Sequence, residues 1–195
     1  LEVLMLDLAS KDAKDVNQIA NNALNNAIKA KPAPLYLDSF AKNITTGNFE
    51  QDMHKISEAD WIIEVVVERL DIKQKIYEQV ETYRKKGTIV SSNTSGIPIW
   101  MMAEGRSEDF KANFLGTHFF NPPRYLKLLE IIPSKYTDPN ITHFMMEFGQ
   151  NILGKRTVLC KDTPAFIGNR VGVMAMAKIF ELTEKYQLSI EDVDK

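Results

Sequence analysis

The chain has 195 residues, of which 44% are hydrophobic and 26% are charged, a balance typical of a globular protein. These values argue against wholesale disorder, a collagen-like chain and a coiled coil. The 24 basic and 26 acidic residues give a net charge of −2, so nothing indicates the basic face that a nucleic-acid partner requires. No apolar run approaches the ~20 residues that span a bilayer.

The cysteine and histidine content bounds the chemistry further. A lone cysteine, Cys160, excludes an internal disulfide and a cysteine-rich zinc site, and the first residues lack the features of a signal peptide. A reducing cytoplasm is therefore the expected compartment. The histidines are too far apart for a metal site, and no Gly-x-Ser-x-Gly elbow supports serine hydrolase chemistry.

The first predicted elements are a strand, a helix and a loop. Residues 3–8 form a strand-like apolar run, and Ser10 is predicted to cap a helix that Pro32 and Pro34 terminate. Its apolar stripe consists of Val16, Ile19, Ala20, Ala23, Leu24, Ala27 and Ile28. Residues 40–44 and 50–56 are predicted to be short helical or irregular pieces.

Strands and helices alternate through the rest of the chain. The β-branched run at 61–67 predicts a strand buried on both faces of a parallel sheet. Further strands are predicted at 88–91, 114–120, 126–132 and 157–160, and helices at about 70–85, 98–104, 139–153, 164–187 and after Ser189. This alternation predicts an α/β layered sheet, and the composition change at 162–164 is the best domain boundary.

Asp7 closes the first predicted strand. In nucleotide-binding α/β folds an acid at this place accepts hydrogen bonds from the adenosine ribose and repels a 2′-phosphate. Acids at strand ends are also common as solvated loop residues, and both interpretations stay open. The G-x-G-x-x-G fingerprint expected ahead of this acid is absent, and Gly47 and Gly87 stand alone.

Two more stretches carry candidate site residues. Residues 91–96 place hydroxyl and amide side chains after a strand, either as a ligand edge or as an ordinary capped turn. If strands 114–120 and 126–132 lie side by side, Glu130 can hold one nitrogen of His118. The other nitrogen is then free to take a proton near neutral pH. The alternative is a core histidine satisfied by a neighbouring acid.

Five ordered motifs resemble the 3-hydroxyacyl-CoA dehydrogenases of fatty-acid β-oxidation. They are VVVERLDIK at 65–73, SNTS at 92–95, GTHFFNP at 116–122, KLLE at 127–130 and DTPAFIGNR at 162–170. The resemblance implies a Rossmann-like, doubly wound parallel sheet over residues 1–162, lacking its first strand and glycine loop. The start of an all-α C-terminal domain would follow at 163–195.

The resemblance also implies an activity and residue roles. The reaction is the NAD-dependent oxidation of an L-3-hydroxyacyl-CoA to the 3-ketoacyl-CoA. His118 takes the hydroxyl proton, Glu130 orients the histidine, and Ser95 and Asn169 contact the substrate oxygen. The positions that match cofactor contacts are Asp7, Val65, Glu68, Lys73, Asn93 and Asn121.

The resemblance further implies which partners the chain has. Relatives dimerise through the C-terminal domain, and residues 31–35 and 121–125 resemble the branch found in larger multifunctional β-oxidation chains. The resemblance implies that the chain begins and ends inside the family's fold, so this segment alone is expected to be inactive and to bind NAD weakly. The alternatives are a catalytically silent binding or assembly module and a related dehydrogenase that acts on a sugar acid.

Overall fold

The computed structural model describes residues 1–11 and 14–194, in which helices and strands alternate. In chain order the elements are β1 (Val3–Asp7), α1 (Gln18–Lys29), β2 (Ile44–Asn48), β3 (Trp61–Glu64), α2 (Leu70–Tyr83), β4 (Ile89–Ser92), α3 (Ile99–Met102), α4 (Glu108–Ala112), β5 (Phe114–Phe119), β6 (Leu128–Pro133), α5 (Pro139–Asn151), β7 (Arg156–Leu159), α6 (Gly168–Lys185) and α7 (Ile190–Val193). Two 3-10 helices, Asp38–Asn43 and Met53–Glu58, precede β2 and β3.

The strands form two sheets. β1 and β2 make a parallel pair, and the other five strands follow the order β3-β4-β5-β6-β7. All neighbours in the larger sheet are parallel except β5 and β6, which are antiparallel. Within the described residues, the edge of β1 opposite β2 and the edge of β3 opposite β4 have no strand partner. The predicted α/β fold class is confirmed, with one antiparallel pair in an otherwise parallel sheet.

One hydrophobic core joins the two sheets. Tyr77, Phe110 and Phe114 are fully buried, and their ring centroids lie 5.0 to 5.7 Å apart. Leu4 and Leu6 of β1 pack against the same cluster. Each large buried side chain stabilises the fold by about 1.5–3 kcal/mol. This packing fixes α2 and α4 on the larger sheet and therefore fixes the loops at its carboxyl edge.

Two elements were missing from the predictions. β2 is short and polar, with the sequence ITTGN, so it carries no apolar signal; it is recognisable only by its pairing with β1. α4 is a five-residue helix capped by Ser107, whose hydroxyl accepts the N–H of Phe110 at 3.2 Å. Such a short helix has no measurable periodicity.

Two predicted boundaries in the first half of the chain are wrong. Ser10 does not cap α1, which begins at Gln18 after a turn in which Asp15 accepts the N–H of Asn17 at 2.9 Å. Residues 12 and 13, inside the predicted helix, lie outside the described residues. β3 ends at Glu64 instead of continuing to residue 67, because the Glu64 side chain accepts the N–H of Val66 and turns the chain.

The last long helix, α6, begins at Gly168, not at residue 164. Ala165 and Phe166 precede it with φ of 61° and 46°, in the left-handed region that costs an L-residue roughly 1–2 kcal/mol. No residue of α6 is buried, so the helix projects from the α/β unit. No helix in the described part of the chain is long and apolar enough to cross a membrane.

Candidate active site

The antiparallel pairing of β5 and β6 places His118 directly opposite Glu130. The imidazole Nδ1 and the carboxylate Oε2 are 2.7 Å apart, and both residues are buried, at 4% and 0% exposure. An ionised carboxylate only accepts hydrogen bonds, so Nδ1 carries the proton of this contact, and in the neutral imidazole Nε2 then has a free lone pair. The predicted approach of these two side chains is confirmed.

The second carboxylate oxygen of Glu130 is held by the backbone before α6. Oε1 accepts the N–H groups of Ile167 at 2.9 Å and of Gly168 at 2.7 Å. Gly168 permits this close approach, because a Cβ there would lie 2.6 Å from the ring of Phe120. The carboxylate is thereby fixed by three donors, and its orientation toward the imidazole is fixed with it.

Aromatic rings and a neutral thiol surround this pair. The imidazole centroid lies 4.5 Å from the ring of Phe120 and 5.7 Å from that of Phe166. Burial and the negative charge of Glu130 raise the pKa of the nearby Cys160 thiol to about 12, so that thiol stays protonated at neutral pH. Thiolate chemistry therefore has no source at this thiol at neutral pH.

Ser95 and Asn169 are brought together across a long stretch of sequence. Ser95 lies in the loop after β4 and Asn169 in the first turn of α6. The Asn169 amide nitrogen donates to the Ser95 backbone oxygen at 3.4 Å. Because Gly168, next to Asn169, binds Glu130, the amide and the imidazole both adjoin the segment that starts α6.

The predicted cofactor residues occupy ends of strands. Asp7 ends β1, Val65 and Glu68 follow β3, and Asn93 follows β4. Val65 is 71% exposed, as a ligand contact requires. Asn93 links the end of β4 to β5, since its side-chain oxygen accepts the N–H of Phe119 at 2.9 Å.

Glu68 is held in place beneath this edge. Its Oε1 accepts the Thr94 hydroxyl and, at 3.1 Å, the N–H of Ser95. Partial burial opposes ionisation, but these hydrogen bonds and the charge of Lys73 lower the pKa of the carboxyl overall. Glu68 is therefore a half-exposed anion at neutral pH.

Lys73 occupies a different place from the one that a direct cofactor contact requires. Its side chain is 1% exposed, and its ammonium faces Glu64 at 2.8 Å and Glu68 at 3.3 Å. Glu64, which sequence reasoning passed over as part of a strand, is the centre of this buried cluster. The signal for it was present: Glu64 is the only charged residue within the apolar run 61–67.

The 3-hydroxyacyl-CoA dehydrogenase, NAD binding domain family matches residues 1–163. The chain belongs to the 3-hydroxyacyl-CoA dehydrogenase family. The family membership predicted from five motifs is confirmed, and the cofactor of this family's domain is NAD.

Similar family members come from several bacteria. A probable 3-hydroxyacyl-CoA dehydrogenase of Bacillus subtilis is 54% identical over 186 residues, which is 95% of this chain and 24% of that protein. A putative fatty acid oxidation complex trifunctional enzyme of Rickettsia felis is 38% identical over 194 residues, 100% of this chain and 27% of that protein. The chain thus spans about a quarter of the length of these two relatives.

A solved structure agrees in fold. The (S)-3-hydroxybutyryl-CoA dehydrogenase PaaH1 from Ralstonia eutropha superposes with a TM-score of 0.77 at 27% identity, covering 98% of this chain and 66% of that one. Strands that end at one edge of a parallel sheet form the crevice in which this fold class binds nucleotides.

The residues at this carboxyl edge of the sheet fit NAD. Asp7 has one oxygen bound to the N–H of Leu8 at 2.7 Å, and no donor among the described residues reaches the other oxygen. That free oxygen suits a ribose hydroxyl. Asn121 is exposed and precedes a cis proline, in the turn that leaves the carboxyl edge after β5.

The segments 31–35 and 121–125 meet in the fold. The Arg124 guanidinium donates to the backbone oxygens of Ala33 at 2.8 Å and Leu35 at 2.6 Å. It also lies over the ring of Tyr36, 4.5 Å from the centroid. The proline-rich loop after α1 is thus bound to the turn that follows β5, the strand that contains His118.

Proposed function

We propose that this chain carries the NAD-dependent oxidation of an L-3-hydroxyacyl-CoA to the 3-ketoacyl-CoA in fatty-acid β-oxidation, with His118 as general base. The observation that supports this role is the 2.7 Å contact between His118 Nδ1 and Glu130, because a neutral imidazole that donates from Nδ1 has an unprotonated Nε2. Among the described residues no group donates to Nε2, so it is free for a substrate hydroxyl.

The proton step follows from the position of each group. Nε2 of His118 takes the proton of the C3 hydroxyl while the C3–H bond breaks and the C3–O bond becomes a carbonyl. The imidazolium that forms is stabilised by the buried carboxylate of Glu130, since charges attract strongly where water is excluded. NAD, when bound, supplies the acceptor for the hydride that leaves C3.

The remaining site residues bind and orient. Ser95 and Asn169, which meet across the start of α6, are proposed to bind the C3 oxygen and hold the hydroxyl toward Nε2. Asp7, Val65, Glu68, Asn93 and Asn121 are proposed to line the NAD site. Lys73 is proposed to support that site through Glu68, because its own ammonium is buried.

Turnover with a substrate panel tests the proposed reaction. In the protein expressed from its complete coding sequence, L-3-hydroxyacyl-CoA esters are expected to reduce NAD, as measured by absorbance at the NADH maximum. The D-isomers and sugar acids are the comparison substrates. Faster NAD reduction with a sugar acid would reassign the substrate class, and no reduction with any substrate would favour a silent binding module.

Replacement of Asp7 tests the ribose contact. The intact enzyme is expected to prefer NAD to NADP, because a carboxylate beside a 2′-phosphate pairs like charges. Asp7→Ala is expected to lower the ratio of kcat/KM with NAD to kcat/KM with NADP by about tenfold or more, and tenfold is equivalent to ~1.4 kcal/mol. Asp15→Ala, on the loop before α1, is the matched control. Equal kcat/KM for both cofactors in the unmutated enzyme would remove Asp7 from the site.

The assembly is proposed from the same resemblance. Residues 1–162 are proposed to form the NAD-binding domain and residues 163–195 the start of a helical C-terminal domain. Two hydrophobic residues on α6, Met174 and Phe180, are 75% and 72% exposed, which is consistent with a surface that packs on further protein. That protein is proposed to be a second copy of the dehydrogenase or another part of a multifunctional chain, in the cytoplasm.

A further inference from the structure

Glu64 is a buried carboxylate that the proposed reaction does not use. It is the last residue of β3, and its side chain is 1% exposed. Four groups donate to it: the N–H of Val66 at 2.6 Å, the ammonium of Lys73 at 2.8 and 3.0 Å, and the hydroxyls of Tyr77 and Ser92, each at 2.6 Å. These donors come from the loop after β3, from α2 and from β4.

Stability alone is a weak reason for this arrangement. The desolvation of two buried charges can exceed the energy gained from their attraction, so apolar side chains of similar volume often stabilise a fold equally well. Burial and the adjacent Glu64 charge raise the pKa of Tyr77 well above its usual value, so Tyr77 is a neutral donor and not a second anion. The cluster is thus one anion, one cation and neutral donors.

The Lys73 ammonium connects Glu64 to the exposed edge. It lies 2.8 Å from the Glu64 carboxylate and 3.3 Å from the Glu68 carboxylate. Glu64 is inaccessible, whereas the Glu68 side chain is 46% exposed. The other oxygen of Glu68 holds the N–H of Ser95 at 3.1 Å. From the core outward, the charged groups are thus the Glu64 carboxylate, the Lys73 ammonium and the Glu68 carboxylate. The outermost of them binds the loop that contains Ser95.

Glu64 also fixes backbone at both loops of the site. Its Oε1 takes the N–H of Val66, while Lys73 donates to the Val66 carbonyl at 3.3 Å, so the turn after β3 is held from both sides. The Glu64 carbonyl accepts the N–H of Asn93 at 2.9 Å. Val65 and Asn93, the proposed cofactor contacts, thus adjoin groups bound to Glu64.

We infer that Glu64 is a positioning residue for the NAD site: its buried charge holds Lys73 in place and, through Lys73, sets the position of Glu68 and the Ser95 loop. This inference rests on the proposed NAD site at the carboxyl edge of the sheet. Glu64 touches neither ligand, and it acts by keeping the ammonium between two carboxylates. Without the inner charge, Lys73 has one counter-ion left and draws Glu68 away from the edge.

A double-mutant cycle tests this inference in the protein expressed from its complete coding sequence. Glu64→Gln and Glu68→Gln are each expected to raise the Kd for NADH, measured by nicotinamide fluorescence, by about tenfold. The double variant is expected to bind NADH about as weakly as the weaker single variant, because both changes act on the same ammonium. Independent effects would instead multiply to about a hundredfold, and that result would overturn the inference.

Asp109→Asn is the matched control for a merely structural role. Asp109 pairs with the buried Arg84 at 2.6 Å and binds Gly87, which precedes the amino end of β4. This variant is expected to lower Tm and to leave the Kd for NADH unchanged. If Glu64→Gln lowers Tm but leaves that Kd unchanged, as expected for Asp109→Asn, Glu64 is structural only and the inference fails.

A second variant tests the same inference if Glu64→Gln does not fold. Glu64→Gln combined with Lys73→Met removes both buried charges at nearly constant shape, a change that folds tolerate. The folded Glu64→Gln, Lys73→Met variant is expected to bind NADH about tenfold more weakly than the unmutated protein, because Glu68 loses Lys73 as its partner. Normal binding would overturn the inference. NADH binding needs no acyl-CoA substrate, so this outcome is separate from failure of the proposed reaction.

Discussion

His118→Ala is expected to lower kcat by a factor of about 10² to 10⁴, the usual contribution of a positioned general base. The alanine removes the imidazole that Glu130 orients, and with it the nitrogen proposed to take the proton of the substrate hydroxyl. The Kd for NADH is expected to change little, since the strand ends proposed to line the NAD site keep their contacts. The measurement is steady-state turnover with an L-3-hydroxyacyl-CoA, beside NADH fluorescence titration.

His143→Ala is the matched control for this variant. Its ring is 75% exposed on α5 and lies 3.4 Å from Glu147, so this histidine also pairs with an acid but faces solvent. Turnover of His143→Ala is expected to equal that of the unmutated enzyme. Near-normal turnover of His118→Ala would remove His118 as the base and leave it as a core histidine with a satisfied nitrogen.

The His118–Glu130 pair could be predicted because strand adjacency alone determines it. Two apolar runs separated by a proline turn form a hairpin, and a hairpin brings residues on its two strands into register. The contact of Glu130 with the backbone at Ile167 and Gly168 could not be predicted in the same way. It spans more than 35 residues and depends on how the segment before α6 turns.

Glu64 shows why the buried carboxylate–ammonium pair escaped prediction. Periodicity identifies apolar faces, and a charged residue inside an apolar run is counted as an interruption. Burial of an acid requires a partner, however, and an acid in a run otherwise fit for the core predicts a buried cation nearby. Lys73, nine residues later on α2, is that cation, at 2.8 Å from Glu64. Only the packing of α2 on the sheet identifies Lys73 as the partner of Glu64.

Glu130→Gln is expected to lower kcat by about 10² to 10⁴ while the fold is kept. The reason lies in the donors that surround the side chain. The N–H groups of Ile167 and Gly168 both point at one oxygen, at 2.9 and 2.7 Å, so the amide must place its carbonyl there. Its NH₂ group then faces His118 Nδ1 and donates to it. The imidazole must carry its proton on Nε2, the nitrogen that should receive the substrate proton.

The amide also removes the charge that stabilises imidazolium, so the acid limb of the pH–rate profile is expected to move to lower pH. The opposite amide orientation would set three donors against one another, at a cost of about 1–3 kcal/mol for each unsatisfied group, and is disfavoured. Glu147→Gln, which alters the exposed pair with His143, is the matched control and is expected to leave both turnover and the profile unchanged. An unaltered rate and profile in Glu130→Gln would mean that the carboxylate neither selects the tautomer nor stabilises the charge. His118 would then work, if at all, without Glu130.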